Sequence, residues 1–208
     1  MPDGEIDQHA MTDSVMRDSV NPLHRLMPTL TGQRVVLRAL TPDDRSELLA
    51  IYGDSRVMRY TGEPPFASLE TVDQMLASVA ALARTHASYE WGIVITADTG
   101  KEVVIGTCSL HSFSDDRQQC EVGCLLNAQY WRQGYTRDAL LVLFDHARTL
   151  GITTVWAEID ASNTASIGLF ADLGFIFQGE NGQGDCLYSL DMTSQRYSCL
   201  TRCNVIFE

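Results

Sequence analysis

Tyr130-Trp131-Arg132-Gln133-Gly134-Tyr135-Thr136-Arg137-Asp138-Ala139-Leu140 is the stretch on which the fold turns. Before it lies an apolar run, Glu121 to Leu126, that reads as a strand; after it comes a strongly apolar helix, Ala139 to Leu150. A strand, a Gly-containing turn and a helix start leave several backbone N–H groups without intrahelical partners, pointing one way. Those donors and the positive end of the helix dipole attract anionic phosphate. The stretch therefore predicts a phosphate-bearing cofactor, cradled by the backbone of Arg132, Gln133, Gly134, Tyr135, Thr136 and Arg137. A plain strand-to-helix turn would use the same residues.

Outward from this turn the chain alternates strand and helix signals. Arg34 to Arg38 reads as a strand, and Thr41-Pro42-Asp43-Asp44 as a helix start with hydroxyl cap, early proline and acids. Ser68 opens a second helix, with Val72, Met75, Leu76, Val79 and Leu82 apolar at helical spacing. Tyr89 to Thr96, Val103 to Leu110 and Cys120 to Leu126 read as strands, the first two joined by a hairpin turn at Ala97 to Lys101. Beyond the quoted stretch come a strand at Thr153 to Asp160, a short helix opened by Ser162-Asn163 and stopped at Gly174, and an antiparallel pair, Phe175 to Gln178 and Cys186 to Asp191. This order predicts one α/β domain over a mixed sheet.

The 208 residues suffice for one domain with a full core, and a 45% apolar, 20% charged composition is that of an ordinary globular protein. A net charge of −12 argues against a general nucleic-acid surface and is compatible with a cationic or amine-bearing partner. The six cysteines form no C-x-x-C pair and no histidine cluster has zinc spacing, so no metal is expected. A Cys199–Cys203 disulfide is conceivable, but free thiols in a reducing cytoplasm are the simpler reading. No apolar run is long enough to cross a bilayer and no secretory signal is visible. His86, His111 and His146 look isolated, and Trp91, Trp131 and Trp156 look like packing residues.

The chain resembles the GNAT superfamily of acetyl-CoA-dependent N-acetyltransferases, and within it the RimJ/RimL-like branch. The resemblance rests on Arg34 to Asp44, Arg56-Val-Met-Arg-Tyr60, Glu121 to Leu126, Tyr130 to Thr136, and Asn163-Thr-Ala-Ser166 followed by Leu173-Gly-Phe175. It implies a GNAT-like domain over about residues 31–192, with a mostly antiparallel twisted sheet splayed between two central strands. Residues 1–30 are then a polar tail or arm, and 193–208 a C-terminal extension. The resemblance departs at Arg132 and Thr136, where small residues are usual, and at Gln178, where many relatives carry glutamate.

The resemblance also implies roles. The turn binds the CoA pyrophosphate; the backbone at Leu125 and Leu126 runs beside the pantetheine arm, where a free N–H stabilises the oxyanion formed on attack. Asn163 caps its helix and lies against the same arm; Ser166 hydrogen-bonds the departing thiolate, with Tyr135 and Tyr188 as other hydroxyl candidates. Glu121 takes the proton from the attacking amine. Structural roles compete at each position: an ordinary core strand, a capping asparagine, a satisfied helix serine, a carboxylate paired with an arginine. The expected activity is acetyl transfer to a primary amine, a protein N-terminus or a small molecule, by direct attack in a ternary complex. A catalytically silent CoA-binding scaffold and a different acyl donor are the alternatives. A homodimer through sheet edges or the C-terminal segment is compatible with the sequence.

Overall fold

The computed structural model describes residues 27–97 and 99–194. An eight-stranded sheet runs through it in the order β1-β2-β3-β4-β5-β6-β8-β7. The strands are β1 (Leu30–Thr31), β2 (Val36–Ala39), β3 (Tyr89–Thr96), β4 (Glu102–His111), β5 (Gln119–Leu126), β6 (Thr154–Asp160), β7 (Ile176–Glu180) and β8 (Asp185–Asp191). Every neighbouring pair is antiparallel except β5–β6. The helices are α1 (Arg45–Tyr52), α2 (Leu69–Arg84), α3 (Tyr135–Thr149) and α4 (Thr164–Asp172).

The sheet separates two cores. On one face Leu140, Leu143 and Phe144 of α3 and Phe170 of α4 pack against Leu37, Trp91, Ile93, Leu110 and Val122. On the other, Leu48, Ile51 and Tyr52 of α1 and Val72 of α2 pack against Leu40, Val94 and Val104. Each fully buried aliphatic or aromatic side chain contributes roughly 1.5–3 kcal/mol, so the helices are held mainly by these stripes.

Local chemistry fixes the ends. Thr41, expected as a hydroxyl cap, closes a capping box with Asp44, and Asp44 also takes two bonds from the Arg38 guanidinium, at 2.8 and 2.9 Å. Burial pushes the Asp44 carboxyl up, but the Arg38 and Thr41 donors outweigh it and hold it below the ordinary value. Ser68 caps α2 by accepting from the Thr71 N–H. α3 starts at Tyr135, four residues before the expected Ala139, because the Gly134 turn feeds straight into the helix.

Of the arm expected over residues 1–30, the last four are described and belong to the sheet layer. Met27 is buried, the Pro28 carbonyl accepts the Trp91 indole N–H at 3.1 Å, and Leu30 pairs with Leu37. Residues 1–26 and the extension from 195 on, with Cys199 and Cys203, lie outside the described residues.

Candidate active site

Arg132 and Gly134 both sit in the left-handed region, at φ 59° and 83°. At Gly134 this costs nothing; at Arg132 a side chain is carried where glycine is the natural occupant, at roughly 1 kcal/mol. Two left-handed residues bracketing Gln133 curl the backbone so that its N–H groups converge. The first helical bond runs from the Asp138 N–H to the Gly134 carbonyl, which leaves the N–H groups of Tyr135, Thr136 and Arg137 ahead of the ladder. The six turn residues are thus brought together at the head of α3, with N–H groups left outside the helical ladder.

The cradle is bolted from outside by contacts about a hundred residues away in sequence. The Asp138 carboxylate accepts the backbone N–H groups of Gln33, Arg34 and Val35, at 3.2, 2.7 and 3.1 Å. Arg34 donates to the Gln133 carbonyl at 2.5 Å and lies 4.3 Å above the Tyr135 ring. Gln133 donates its own amide to the Gln129 carbonyl at 3.0 Å.

Next to the cradle the sheet opens. β5 and β6 pair in parallel only at Gln119–Thr154, Cys120–Val155 and Glu121–Trp156; β6 continues against β8, and β5 against β4. This is the splay expected between two central strands. The Asn127 N–H donates to the Ile105 carbonyl at 2.8 Å, which fixes the phase of the β4–β5 ladder. By antiparallel alternation, Glu121, Gly123 and Leu125 spend their backbone bonds on β4, whereas Val122, Cys124 and Leu126 turn theirs toward the seam. Leu125, expected to lend backbone to a cofactor arm, spends its backbone bonds on β4, and its neighbour Cys124 turns its own toward the seam. Leu126 is in phase, but its carbonyl already accepts the Trp131 indole N–H at 2.7 Å. Trp131, expected to be a packing residue, is 43% exposed and acts instead as a fastener between β5 and the turn.

Glu121 points to the α1/α2 face, since its neighbours Cys120 and Val122 belong to the opposite core. There its carboxylate lies 3.7 Å from His111 Nδ1, and His111 Nδ1 lies 3.0 Å from the Ser112 hydroxyl. His111 is therefore not isolated: it stands directly opposite Glu121 in the β4–β5 register. A Cβ built on Gly123 would come within 3.5 Å of His111 Nε2, so the ring overhangs the strand beside the seam. Ser112 and Glu121, with Ser114, Gln119, Trp156, Ala157, Glu158 and Leu187, line an open cleft of about 290 Å³. Burial and the nearby Asp185 and Glu121 carboxylates raise the Glu158 carboxyl.

Glu90 stands on the same face. Its carboxylate accepts from the Tyr52 hydroxyl at 2.6 Å, and that hydroxyl also meets Thr107 Oγ1 at 2.8 Å. Burial raises the Glu90 carboxyl above the ordinary value; the Tyr52 and Thr107 bonds and the His111 charge only partly offset it. Glu90, His111, Arg34 and Asp138 were not readable as site residues from the sequence, where only the strand alternation around Glu90 and His111 hints at a shared face.

Asn163 and Ser166 lie at the start of α4, against the other face. The Asn163 side chain accepts the Ser166 N–H at 3.2 Å, as expected of a cap. The sheet thus stands between Glu121 and the Ser166 end. The Tyr188 ring packs edge-on against Phe177 and the Tyr135 ring against Tyr130. Burial pushes the Cys120 and Cys124 thiols up to about 12, which makes them poor nucleophiles at neutral pH. Among the described residues no His, Cys, Asp and Glu side chains gather in a metal-binding group. No described helix is long and apolar enough to cross a membrane.

Comparison with known proteins agrees with this fold. The family model "Acetyltransferase (GNAT) domain" matches residues 34–176. The chain is 28% identical over 155 residues to the uncharacterized N-acetyltransferase YoaA of Bacillus subtilis, covering 74% of this chain and 86% of that protein. Over 50 residues it is 42% identical to the [ribosomal protein bS18]-alanine N-acetyltransferase of Escherichia coli, covering 24% of this chain and 34% of that one. In fold it is similar to Mycobacterium smegmatis RimJ in complex with CoA-disulfide, with a TM-score of 0.72, 14% identity, and 85% and 94% of the two chains covered.

Proposed function

Because the chain belongs to the GNAT acetyltransferase family, we propose that it transfers acetyl from acetyl-CoA to a primary amine by direct attack in a ternary complex. The observation that carries this is the union of cradle and seam: convergent N–H groups at the head of α3, next to a β5 edge whose backbone is turned away from β4. The residues fit a pyrophosphate followed by an amide-rich arm. Arg132 to Arg137 would hold the phosphates, Val122, Cys124 and Leu126 would pair with the arm, and Asn163 would lie against it. Acetyl-CoA supplies an activated thioester; the protein binds it, orients it and handles protons.

The amine arrives from the α1/α2 face. Glu90, Glu121 and Glu158 give that face negative potential, suited to an ammonium group. Glu121 sits where the two central strands part and answers the amine's charge as it loses its proton. Ser166, in the first turn of α4, would hydrogen-bond the leaving thiolate. A seam-facing N–H of β5 polarises the thioester carbonyl and stabilises the oxyanion. The acceptor is a protein N-terminus, in keeping with the ribosomal-protein enzymes it is similar to, or a small amine, and the setting is cytoplasmic.

A thiol-release assay with acetyl-CoA and a panel of amines, N-terminal peptides included, tests this. Release with at least one amine supports it. Tight acetyl-CoA binding with no release for any amine would instead make the protein a silent CoA-binding scaffold.

A further inference from the structure

We propose that His111 is the group that takes the proton from the acceptor amine, with Glu121 and Ser112 as its positioning residues. This rests on the acetyl-transfer reading of the site. Three observations place the imidazole. Its Nδ1 lies between the Ser112 hydroxyl at 3.0 Å and the Glu121 carboxylate at 3.7 Å. Its Nε2 overhangs Gly123, where any side chain would come within 3.5 Å of it and within 2.9 Å of Ser109 Oγ. Ser112 holds its hydroxyl there from a left-handed backbone, φ 50°, a conformation that costs a non-glycine residue roughly 1 kcal/mol and up to a few more.

Together these contacts suit the tautomer with its proton on Nδ1. With Nδ1–H donating to Ser112 beside the Glu121 charge, Nε2 carries the lone pair. That nitrogen is on the seam side and the carboxylate is behind the ring, an arrangement of base and orienting group. Glu121 alone is less suited: its carboxylate is turned toward His111 and the cleft wall. The charged groups facing the ring are Glu121 from β5 and Glu90 from β3, with Glu158 of β6 beyond Glu121. From α1, the Tyr52 hydroxyl reaches Glu90.

The step balances as follows. The ammonium gives one proton to Nε2, which passes it to water through the cleft. The freed lone pair on nitrogen forms the C–N bond to the thioester carbonyl carbon. Collapse breaks the C–S bond, its electron pair leaves on the CoA sulfur, and the nitrogen's second proton ends on that thiolate.

The test compares wild type with His111→Gln and Ser112→Ala in the thiol-release assay, across pH, with acetyl-CoA affinity measured by calorimetry. His111→Gln is expected to lower kcat by about 10²-fold or more, the scale of a lost general base. Its acetyl-CoA affinity stays unchanged, and its rate recovers at high pH, where more of the amine is already neutral. Ser112 is exposed and its loss leaves folding intact; Ser112→Ala lowers kcat by about threefold to tenfold at unchanged KM for acetyl-CoA, through tautomer and orientation. If His111→Gln, or failing its folding Ser112→Ala, turns over at the wild-type rate, or if high pH restores nothing, the proposal is overturned. A wild type that releases no thiol with any amine overturns acetyl transfer itself, and this proposal with it, so the two failures are told apart.

Discussion

Asp138→Ala should loosen the whole cofactor end of the molecule without touching the core. The carboxylate accepts three backbone N–H groups, from Gln33, Arg34 and Val35. Hydrogen bonds to a charged group contribute about 1.5–3 kcal/mol when buried and much less in water. Two of these donors are exposed and rehydrate; Val35 N–H is half-buried and is left without its acceptor. Alanine's better helix propensity roughly cancels the lost favourable charge near the helix N-terminus. The net cost is therefore about 2–3 kcal/mol, a fall of about 4–12 °C in Tm for a domain of this size. Asp138→Asn discriminates: Arg34 and Val35 both bond Oδ2, so one amide oxygen keeps both and only the Gln33 bond and the charge are lost, at about 1 kcal/mol. Urea unfolding with m-values compared across the three proteins measures this. The reasoning is refuted if Asp138→Ala lies within about 0.5 kcal/mol of wild type, or if the asparagine variant is the less stable of the two.

Other outcomes follow from the same geometry. Gly134→Val places a β-branched side chain at φ 83° with Arg34 Nη1 3.5 Å from its Cβ; acetyl-CoA affinity by calorimetry should fall at least tenfold, since the strain is roughly 1–2 kcal/mol. Asp44 has a folded pKa below its unfolded one, so its pairing with Arg38 stabilises the fold above the ordinary carboxylate value and is lost as pH falls through the folded value. Asp44→Asn should cost about 2–3 kcal/mol at neutral pH and flatten the acid limb of the stability profile. Glu90 has the opposite sign: its folded pKa is raised, so its contribution is present below the unfolded value and disappears as pH rises through the folded one. Glu90→Gln should therefore be at least as stable as wild type at alkaline pH, with a flatter profile above the ordinary carboxylate range, while kcat/KM for a cationic acceptor falls; a loss of stability at alkaline pH would contradict the burial account.

What could be read beforehand was whatever is local. Tyr89–Thr96 reads as a strand to the residue because a mostly apolar run ends in a turn signal, and Ser68, Asn163 and Gly174 mark helix ends through chemistry carried by one residue. What escaped depends on register. Leu125 and Cys124 are equivalent in sequence pattern; only the ladder's phase, set by Asn127 and Ile105, decides which one faces the seam. His111 looked solitary because its partner Glu121 is supplied by strand pairing. Asp138 reads as an ordinary first-turn acid until the β1–β2 turn is folded over it. Leu30–Thr31 was too short to announce itself, and Met27 and Pro28 sit in a polar stretch with no period.

The three-pair junction between β5 and β6 has a mechanical consequence. Five strands on one side and three on the other are laddered together there over Gln119–Glu121 and Thr154–Trp156. A ligand that bonds to β5 along this line and touches α4 beyond it acts as a missing strand, and its binding energy becomes cohesion between the halves. At a free concentration one hundred times its Kd it adds about 2.7 kcal/mol to stability. Hydrogen exchange along β5 and β6, and resistance to proteolysis, should then rise and fall with acetyl-CoA supply, so that the protein's own persistence reads out the donor it consumes.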